Sequence, residues 1–245
     1  MNIRIGIWVL LSVVLVACLA TTVQPNSKEG ASGVVAYYLL NLKYVDEGND
    51  NATSMKRNLK SSTPETIAGF DGYSLKSDIV KAMEDDSAIP NIQKRYGEGG
   101  YASKAKKRDI GRYLTHFQLY KTLLTTPGAM YVVVIENTVR TSSANLEKAV
   151  LAGIKQAGND FDVLFLSGAE GRESEYGKTC PVDPANPPTA EAYVINTKNI
   201  MKLVMATKTI QETIDATLAT AVKEGKLKAL RFCPPLVKKF GSPSK

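Results

Sequence analysis

Residues 131–140, YVVVIENTVR, decide the fold of this chain. Their first five residues are an unbroken apolar run with three valines, which is typical of a strand buried on both faces of a parallel sheet flanked by helices. The run stops abruptly at Glu136, Asn137 and Thr138. Taken alone, the stretch is a core strand followed by an ordinary polar loop. Because α/β folds bind their ligands at the carboxyl ends of central strands, however, it also marks a candidate site.

The segments on either side alternate between strand and helix patterns. Apolar runs predict further strands at 34–42, 65–70, 162–168, 192–196 and 228–233. Helical spacing predicts helices at 77–83, 109–124, 143–157, 197–206 and 211–223. We expect the basic residues 104–108 to lie in a loop, Asp109 to be an N-cap, and 169–188 to form a long binding loop or lid. The alternation predicts one α/β domain with a mostly parallel sheet flanked by helices.

Composition restricts the class of protein and its partners. A chain of 245 residues with 44% hydrophobic residues can bury a substantial core as one large domain. A net charge of +7 suits a phosphate-bearing ligand, an anionic membrane surface or an acidic partner. Three cysteines without a CxxC pair, together with a single histidine, argue against a zinc site.

The N-terminus carries an uncharged apolar run at residues 5–23, which is long enough to cross a membrane as a helix. Arg4 precedes it, so we expect a single-pass protein with its N-terminus in the cytoplasm. Three interpretations are open: an uncleaved signal anchor, a cleaved signal peptide, or a lipoprotein signal, because residues 15–18 (LVAC) resemble a lipobox. We favour the uncleaved anchor at 1–23, followed by a linker at 24–33 and a folded domain at 34–245.

Two cysteines fall within the predicted domain. Cys180 lies in the long loop and Cys233 at the end of the last predicted strand. Outside the cytoplasm they could form a disulfide, whereas two unpaired thiols are the alternative, since sequence does not determine the distance between them.

Short motifs in a fixed order carry a resemblance to a known family. They are YLLNL at 38–42, Arg57, FDG at 70–72, DIGRYLTH at 109–116, VIENTV at 134–139, AYVI at 192–195, Asp215 and PPLV at 234–237. In this order they are similar to the motifs of glycosyltransferase family 25, the group of lipopolysaccharide and procollagen sugar transferases, and they extend over about residues 34–243.

The resemblance implies a Rossmann-like glycosyltransferase fold of the A type, which binds a nucleotide sugar and a divalent metal such as Mn²⁺. It also implies a set of positions around the nucleotide sugar, with Glu136 as the metal ligand. These positions are Asn41, Arg57, Asp71, Gly72, His116, Glu136, Asn137 and Asp215.

The chain departs from the family at the acidic motif. Asn137 and Thr138 stand where the family has two aspartates. Neutral oxygens are poor substitutes for carboxylates on a divalent ion. We therefore expect a membrane-anchored domain that is weak or inactive in sugar transfer. We expect it to hold no cofactor, and a divalent metal such as Mn²⁺ only if the domain is active.

The alternative is a non-catalytic structural component, such as a minor capsid protein in the virion of a large membrane-containing virus. Its partners would then belong to a large assembly. Under neither interpretation do we expect nucleic acid as a partner.

Overall fold

The run 131–136 forms the centre of a seven-stranded sheet in the computed structural model. The structure describes residues 35–42, 59, 63–70, 91–92, 104–126, 128–141, 146–167, 178–183 and 186–239. The predicted anchor at 5–23, the linker at 24–33, the helix at 77–83 and the site candidates Arg57, Asp71 and Gly72 lie outside these residues. No helix among the described residues is long and apolar enough to cross a bilayer.

Six of the described strands lie within the segments that the sequence predicts, and five further short strands were not predicted. They are β1 (Val35–Asn41), β2 (Glu65–Ala68), β3 (Asn91–Ile92), β4 (Tyr131–Glu136), β5 (Val139–Thr141), β6 (Val163–Phe165), β7 (Thr179–Pro181), β8 (Ala192–Asn196), β9 (Thr209–Ile210), β10 (Ala229–Phe232) and β11 (Val237–Lys239).

The described helices alternate with these strands. They are α1 (Lys104–Thr125), α2 (Leu146–Ala157), a 3₁₀ turn (Thr197–Asn199), α3 (Ile200–Ala206) and α4 (Ile214–Lys223).

The main sheet has the strand order β2-β1-β4-β8-β6-β10-β7. β1 pairs in parallel with both β2 and β4, and β6 pairs in parallel with β10. β8 runs antiparallel to both β4 and β6, and β7 runs antiparallel to β10. The α/β class is therefore confirmed, with a mixed sheet in which five of the seven described strands share one direction.

Alternate residues of β4 pack into different cores on the two faces of the sheet. Val132 and Val134 belong to the core beneath α1, α3 and α4, whereas Tyr131, Val133 and Ile135 belong to the core beneath α2. Both cores consist mainly of apolar side chains, so the residues of both sets are apolar or aromatic. This two-sided burial explains the unbroken apolar run.

Two local predictions are wrong. The basic residues 104–108 form the first turns of α1 and not a loop, so Asp109 lies inside the helix and does not cap it. Lysine, arginine and alanine are all good helix formers, which favours a helix that starts earlier. Near the C-terminus, Val237–Lys239 pairs with β5, and Leu236 and Val237 are buried.

The predicted lid contains a strand. β7 pairs with β10, which places Cys180 opposite Arg231. A disulfide joins Cys180 to Cys233, with their Cα atoms 6.1 Å apart. The sheet pairing thus brings the two cysteines together, and the alternative of two unpaired thiols is wrong.

Candidate functional site

The candidate site lies at the edge of the sheet where β1 and β4 end and β8 begins. The Glu136 amide donates to the Glu191 carbonyl at 2.8 Å, and the Asn137 amide donates to the Leu40 carbonyl at 3.0 Å. These bonds hold the residues after β4 against both neighbouring strands. Polar side chains from three strands and two helices therefore meet at one edge, as the sequence predicts for β4.

Glu136 is the centre of this cluster and is only 1% exposed. Its Oε1 accepts from Arg112 Nε at 2.7 Å and lies 2.7 Å from His116 Nε2. Its Oε2 accepts from Thr138 Oγ1 at 2.8 Å. Both carboxylate oxygens are thus bound by side chains of the protein itself.

Arg112 links this carboxylate to a second one on α4. The Arg112 guanidinium makes a two-pronged ion pair with Asp215, in which the Nη2–Oδ1 distance is 3.1 Å. Asp215 Oδ1 also accepts from the Ala190 amide at 2.6 Å. Arginine suits this role because its planar fork can bind two carboxylates at once. The pair of contacts joins α1, α4 and the segment before β8 to the end of β4.

The electrostatics of the cluster favour the charged forms. Burial alone would raise the pKa of Glu136, but Arg112 and the His116 hydrogen bond outweigh it and lower the pKa to about 2. Burial likewise opposes the charge on Arg112, but Glu136 and Asp215 raise the pKa of Arg112 well above its ordinary value. Glu136 is therefore an ionised partner of a permanent cation.

A chain of hydrogen bonds leads from Glu136 into the core. An ionised carboxylate only accepts hydrogen bonds, so His116 Nε2 donates to it. His116 Nδ1 lies 2.7 Å from Tyr193 Oη, which lies 2.6 Å from Tyr120 Oη. Burial raises the pKa of both tyrosines, so they stay neutral. Because His116, Tyr193 and Tyr120 are all fully buried, this chain orients groups within the core.

Asn137 and Asn41 form a second, adjoining cluster. Asn137 Nδ2 donates to Asn41 Oδ1 at 2.8 Å and to the Leu42 carbonyl at 3.2 Å. Asn137 Oδ1 accepts from the Leu42 amide at 3.1 Å. The Asn137 side chain therefore continues the pairing of β1 and β4 beyond the point where the backbone ladder ends.

The structure thus brings five of the predicted site residues to one edge. Three belong to the ion-pair cluster and two to the asparagine pair; they are His116, Glu136, Asp215, Asn41 and Asn137. Sequence reasoning did not single out Arg112, Tyr120 or Tyr193. A signal was available for the first two, because residues 112, 116 and 120 are four apart and so share one face of a helix.

The described residues do not fit a divalent metal. A cation at Glu136 would have to displace Arg112 or Thr138 from its carboxylate. No group of three or more histidine, cysteine, aspartate or glutamate side chains in the described part of the chain is placed to hold a metal ion. The following positions, Asn137 and Thr138, supply no negative charge.

Comparison with known proteins does not assign a family: no family model matches the chain, and no curated protein matches it.

Proposed function

We propose that residues 34–245 form a glycosyltransferase-family-25-like domain of the Rossmann-like A type that binds nucleotide sugars weakly and does not carry out metal-dependent sugar transfer. One observation carries this proposal. The carboxylate that ends the central strand, Glu136, is buried in an ion pair with Arg112, and two neutral residues follow it.

The chemistry of sugar transfer explains why this matters. A nucleoside diphosphate leaving group develops charge, and a metal ion held by hard oxygen ligands usually stabilises it. The side chain of Arg112 is only 13% exposed. If Glu136 bound a metal, Arg112 would lose one of its two carboxylate partners. Breaking a buried pair in this way typically costs about 3–5 kcal/mol. The cluster therefore favours its present contacts over a metal.

The location of the domain follows from two features. Residues 5–23 anchor the chain in a membrane, with the N-terminus in the cytoplasm and the domain on the other side. The disulfide between Cys180 and Cys233 supports this orientation, because disulfides persist in oxidising compartments and are rare in the cytosol.

A second candidate function is a structural component of a large assembly, such as a minor capsid protein of a membrane-containing virus. The observation that favours it is that the polar residues at the carboxyl edge of the sheet bind each other. Arg112, Glu136 and Asp215 join elements of the fold. Copies of the chain in fixed ratio to the major protein of a purified particle would support this candidate over a sugar-binding domain.

The proposal is tested on the full-length chain with a panel of UDP- and GDP-sugars. Calorimetry should detect weak binding that does not depend on Mn²⁺, and product analysis should detect no transfer or donor hydrolysis. Mn²⁺-dependent turnover by the native chain would overturn the proposal.

Restoring charge provides the matched comparison. Thr138→Asp, alone and with Asn137→Asp, should introduce Mn²⁺ binding, whereas Thr138→Asn, of similar size and without charge, should not. If the native chain and Thr138→Asn bind Mn²⁺ as tightly as the aspartate variants do, the missing carboxylates are not the reason for inactivity.

A further inference from the structure

We propose that Arg231 forms a binding site for an oxyanion, the carboxylate or phosphate group of a small ligand, apart from the cluster around Glu136. Arg231 lies in β10, which runs in the same direction as β4 and ends at the same edge of the sheet. Binding at Arg231 does not depend on whether the domain binds nucleotide sugars.

Arg231 carries a buried donor that the fold leaves without an acceptor. Among the described residues, its Nε is the buried side-chain atom that has no hydrogen-bond partner. Within the same part of the chain, Arg231 also forms no ion pair with a carboxylate. A buried donor without an acceptor costs free energy, and the cost is larger for a charged group. Because buried donors in proteins are nearly always paired, a partner from outside the chain would remove this cost.

The side chain of Arg231 lies on the same face of the sheet as the cluster around Glu136. Ala229, two residues earlier in β10, packs against the core beneath α1, α3 and α4, whereas Phe232 belongs to the core beneath α2. Successive side chains of a strand point to opposite faces, so Arg231 is on the side of α1, α3 and α4. Glu136 is on that side as well, because it comes two residues after Val134.

The two residues opposite Arg231 provide no charge to balance it. They are Phe165 in β6 and Cys180 in β7. Cys180 is bonded to Cys233, so the disulfide borders the site. Neither an aromatic ring nor a disulfide is a strong hydrogen-bond acceptor. The neighbouring strands therefore leave the Nε–H group available to a ligand.

The register of the sheet separates this site from Glu136. Arg231 is opposite Phe165, Phe165 is opposite Tyr193, and Tyr193 is opposite Val134 in β4. Neighbouring strands lie about 4.8 Å apart, so three spacings place β10 roughly 14 Å from β4. A small anion bound at Arg231 would therefore not touch the carboxylate of Glu136.

A comparison with Arg112 indicates what Arg231 can bind. The Arg112 side chain is 13% exposed, and its charge is balanced by Glu136 and Asp215. Arg231 is only partly buried, so a ligand can approach it from solvent. The planar fork of arginine matches the oxygens of a carboxylate or a phosphate, which can accept from Nε and from a terminal nitrogen at once. The missing partner of Arg231 is therefore an oxyanion.

Modification of arginines by phenylglyoxal tests this site in the native chain. The full-length protein is treated in chloride, phosphate or acetate at equal ionic strength, and mass spectrometry of peptides follows each arginine. With an anion at about twice its dissociation constant, Arg231 should be modified about threefold more slowly than in chloride, because the bound anion blocks it. Slowing by phosphate alone would identify a phosphate ligand, slowing by acetate alone a carboxylate, and slowing by both a site for either group.

The matched control in the same experiment is Arg140. It is exposed and lies in β5, which pairs with β11 in a separate sheet. We expect Arg140 to be modified at the same rate in all three salts. Three outcomes would overturn the proposal: equal protection at both arginines, no protection of Arg231 by either anion, or an Arg231 that does not react in chloride.

Arg231→Met separates a ligand site from a purely structural role. Methionine keeps an unbranched apolar stem and has no donor, so the variant should be at least as stable as the native chain in chloride. Phosphate stabilises proteins in general, so the readout is the additional increase in Tm that requires Arg231. The native chain and Arg140→Met should gain more in phosphate or acetate than Arg231→Met does. Equal gains in all three proteins would contradict the proposal, and the labelling of the native chain decides it if Arg231→Met does not fold.

Discussion

Asn137 is one of the two neutral residues that follow Glu136, and its side chain also ties β1 to β4. Its amide nitrogen donates to Asn41 and to the Leu42 carbonyl, and its oxygen accepts from the Leu42 amide. An aspartate has no hydrogen to donate, so it could keep only the last of these bonds. Asparagine at this position is therefore explained by the stability of the sheet edge.

Asn137→Asp should consequently destabilise the protein. A charged side chain would face the Leu42 carbonyl without a hydrogen, and we expect a loss of about 1–3 kcal/mol in the free energy of unfolding by urea. Asn159→Asp is the matched control, because the oxygen of exposed Asn159 accepts from Tyr131 and an aspartate oxygen can do the same. A loss in Asn159→Asp as large as that in Asn137→Asp would contradict this explanation.

Glu136 should make stability depend on acid pH. Its pKa is about 2 in the folded protein against an ordinary value of 4.5. Because the folded pKa is depressed, this contribution is fully present above pH 4.5 and is lost as the pH falls towards 2. The difference corresponds to roughly 3 kcal/mol.

Glu136→Gln tests this dependence by urea unfolding between pH 5 and 2.5. We expect the variant to be less stable at pH 5 and to lose less stability on acidification than the native chain does. Glu224→Gln, in which the side chain is 48% exposed, is the control for removing one carboxylate from the surface. An unchanged slope in Glu136→Gln would mean that other carboxylates account for the acid sensitivity.

At the scale of elements, α1 carries a polar row within its buried face. Arg112, His116 and Tyr120 follow one another at intervals of one turn and face the ends of β4 and β8. The apolar periodicity of the helix is visible in the sequence, and it correctly places α1 against the sheet. The partners of the polar row are not visible in the sequence pattern of α1, because they belong to β4, β8 and α4.

The packing of α2 on β10 depends on the absence of a side chain at Gly153. A Cβ atom there would lie 2.2 Å from Phe232 Cζ. Phe232 is 1% exposed, so its ring has little room to move. The helix can approach the sheet this closely only with glycine at this position.

Gly153→Ala should therefore destabilise the protein although alanine favours helices. We expect a net loss of about 1–2 kcal/mol, since overpacking outweighs the gain of 0.5–1 kcal/mol in helix propensity. Gly128→Ala is the control, because no atom lies within 4 Å of the Cβ it would add. Thermal unfolding of both variants measures the difference, and a Gly153→Ala protein as stable as the native chain would show that Phe232 repacks freely.

At the scale of the whole molecule, the disulfide closes a loop between residues 53 apart in sequence. It holds β7 at the far end of the sheet, where the strand has only one neighbour. A cross-link of this loop length restricts the unfolded chain, and such bonds typically contribute about 2–4 kcal/mol.

Replacing both Cys180 and Cys233 with serine should lower the free energy of unfolding by about this amount. Cys18→Ser is the control, because it leaves the disulfide intact. Urea unfolding of the native chain with and without a reducing agent should give the same difference as the double substitution. If neither treatment changes stability, the loop is already restrained by the pairing of β7 with β10.

Much of the local structure is determined by patterns of residues close together in the sequence. The apolar run of β4 must be buried on both faces, since any exposure of five consecutive large apolar residues would be unfavourable. For the same reason the position of β8, Ala192–Asn196, coincides with its prediction. Helical spacing likewise located α1, α2 and α4 to within a few residues.

Only the tertiary structure decided the direction of β8, the place of β7 and the partners of the charged residues. Strand direction depends on which chain segments pair, and local composition is similar for either direction. Arg112 and Asp215 are 103 residues apart, and Asn137 and Leu42 are 95 apart. The resemblance to the sugar transferase motifs implied Glu136 as a candidate metal ligand. The fold instead brings Arg112 and His116 to that carboxylate, because a buried negative charge is stable only when it is paired.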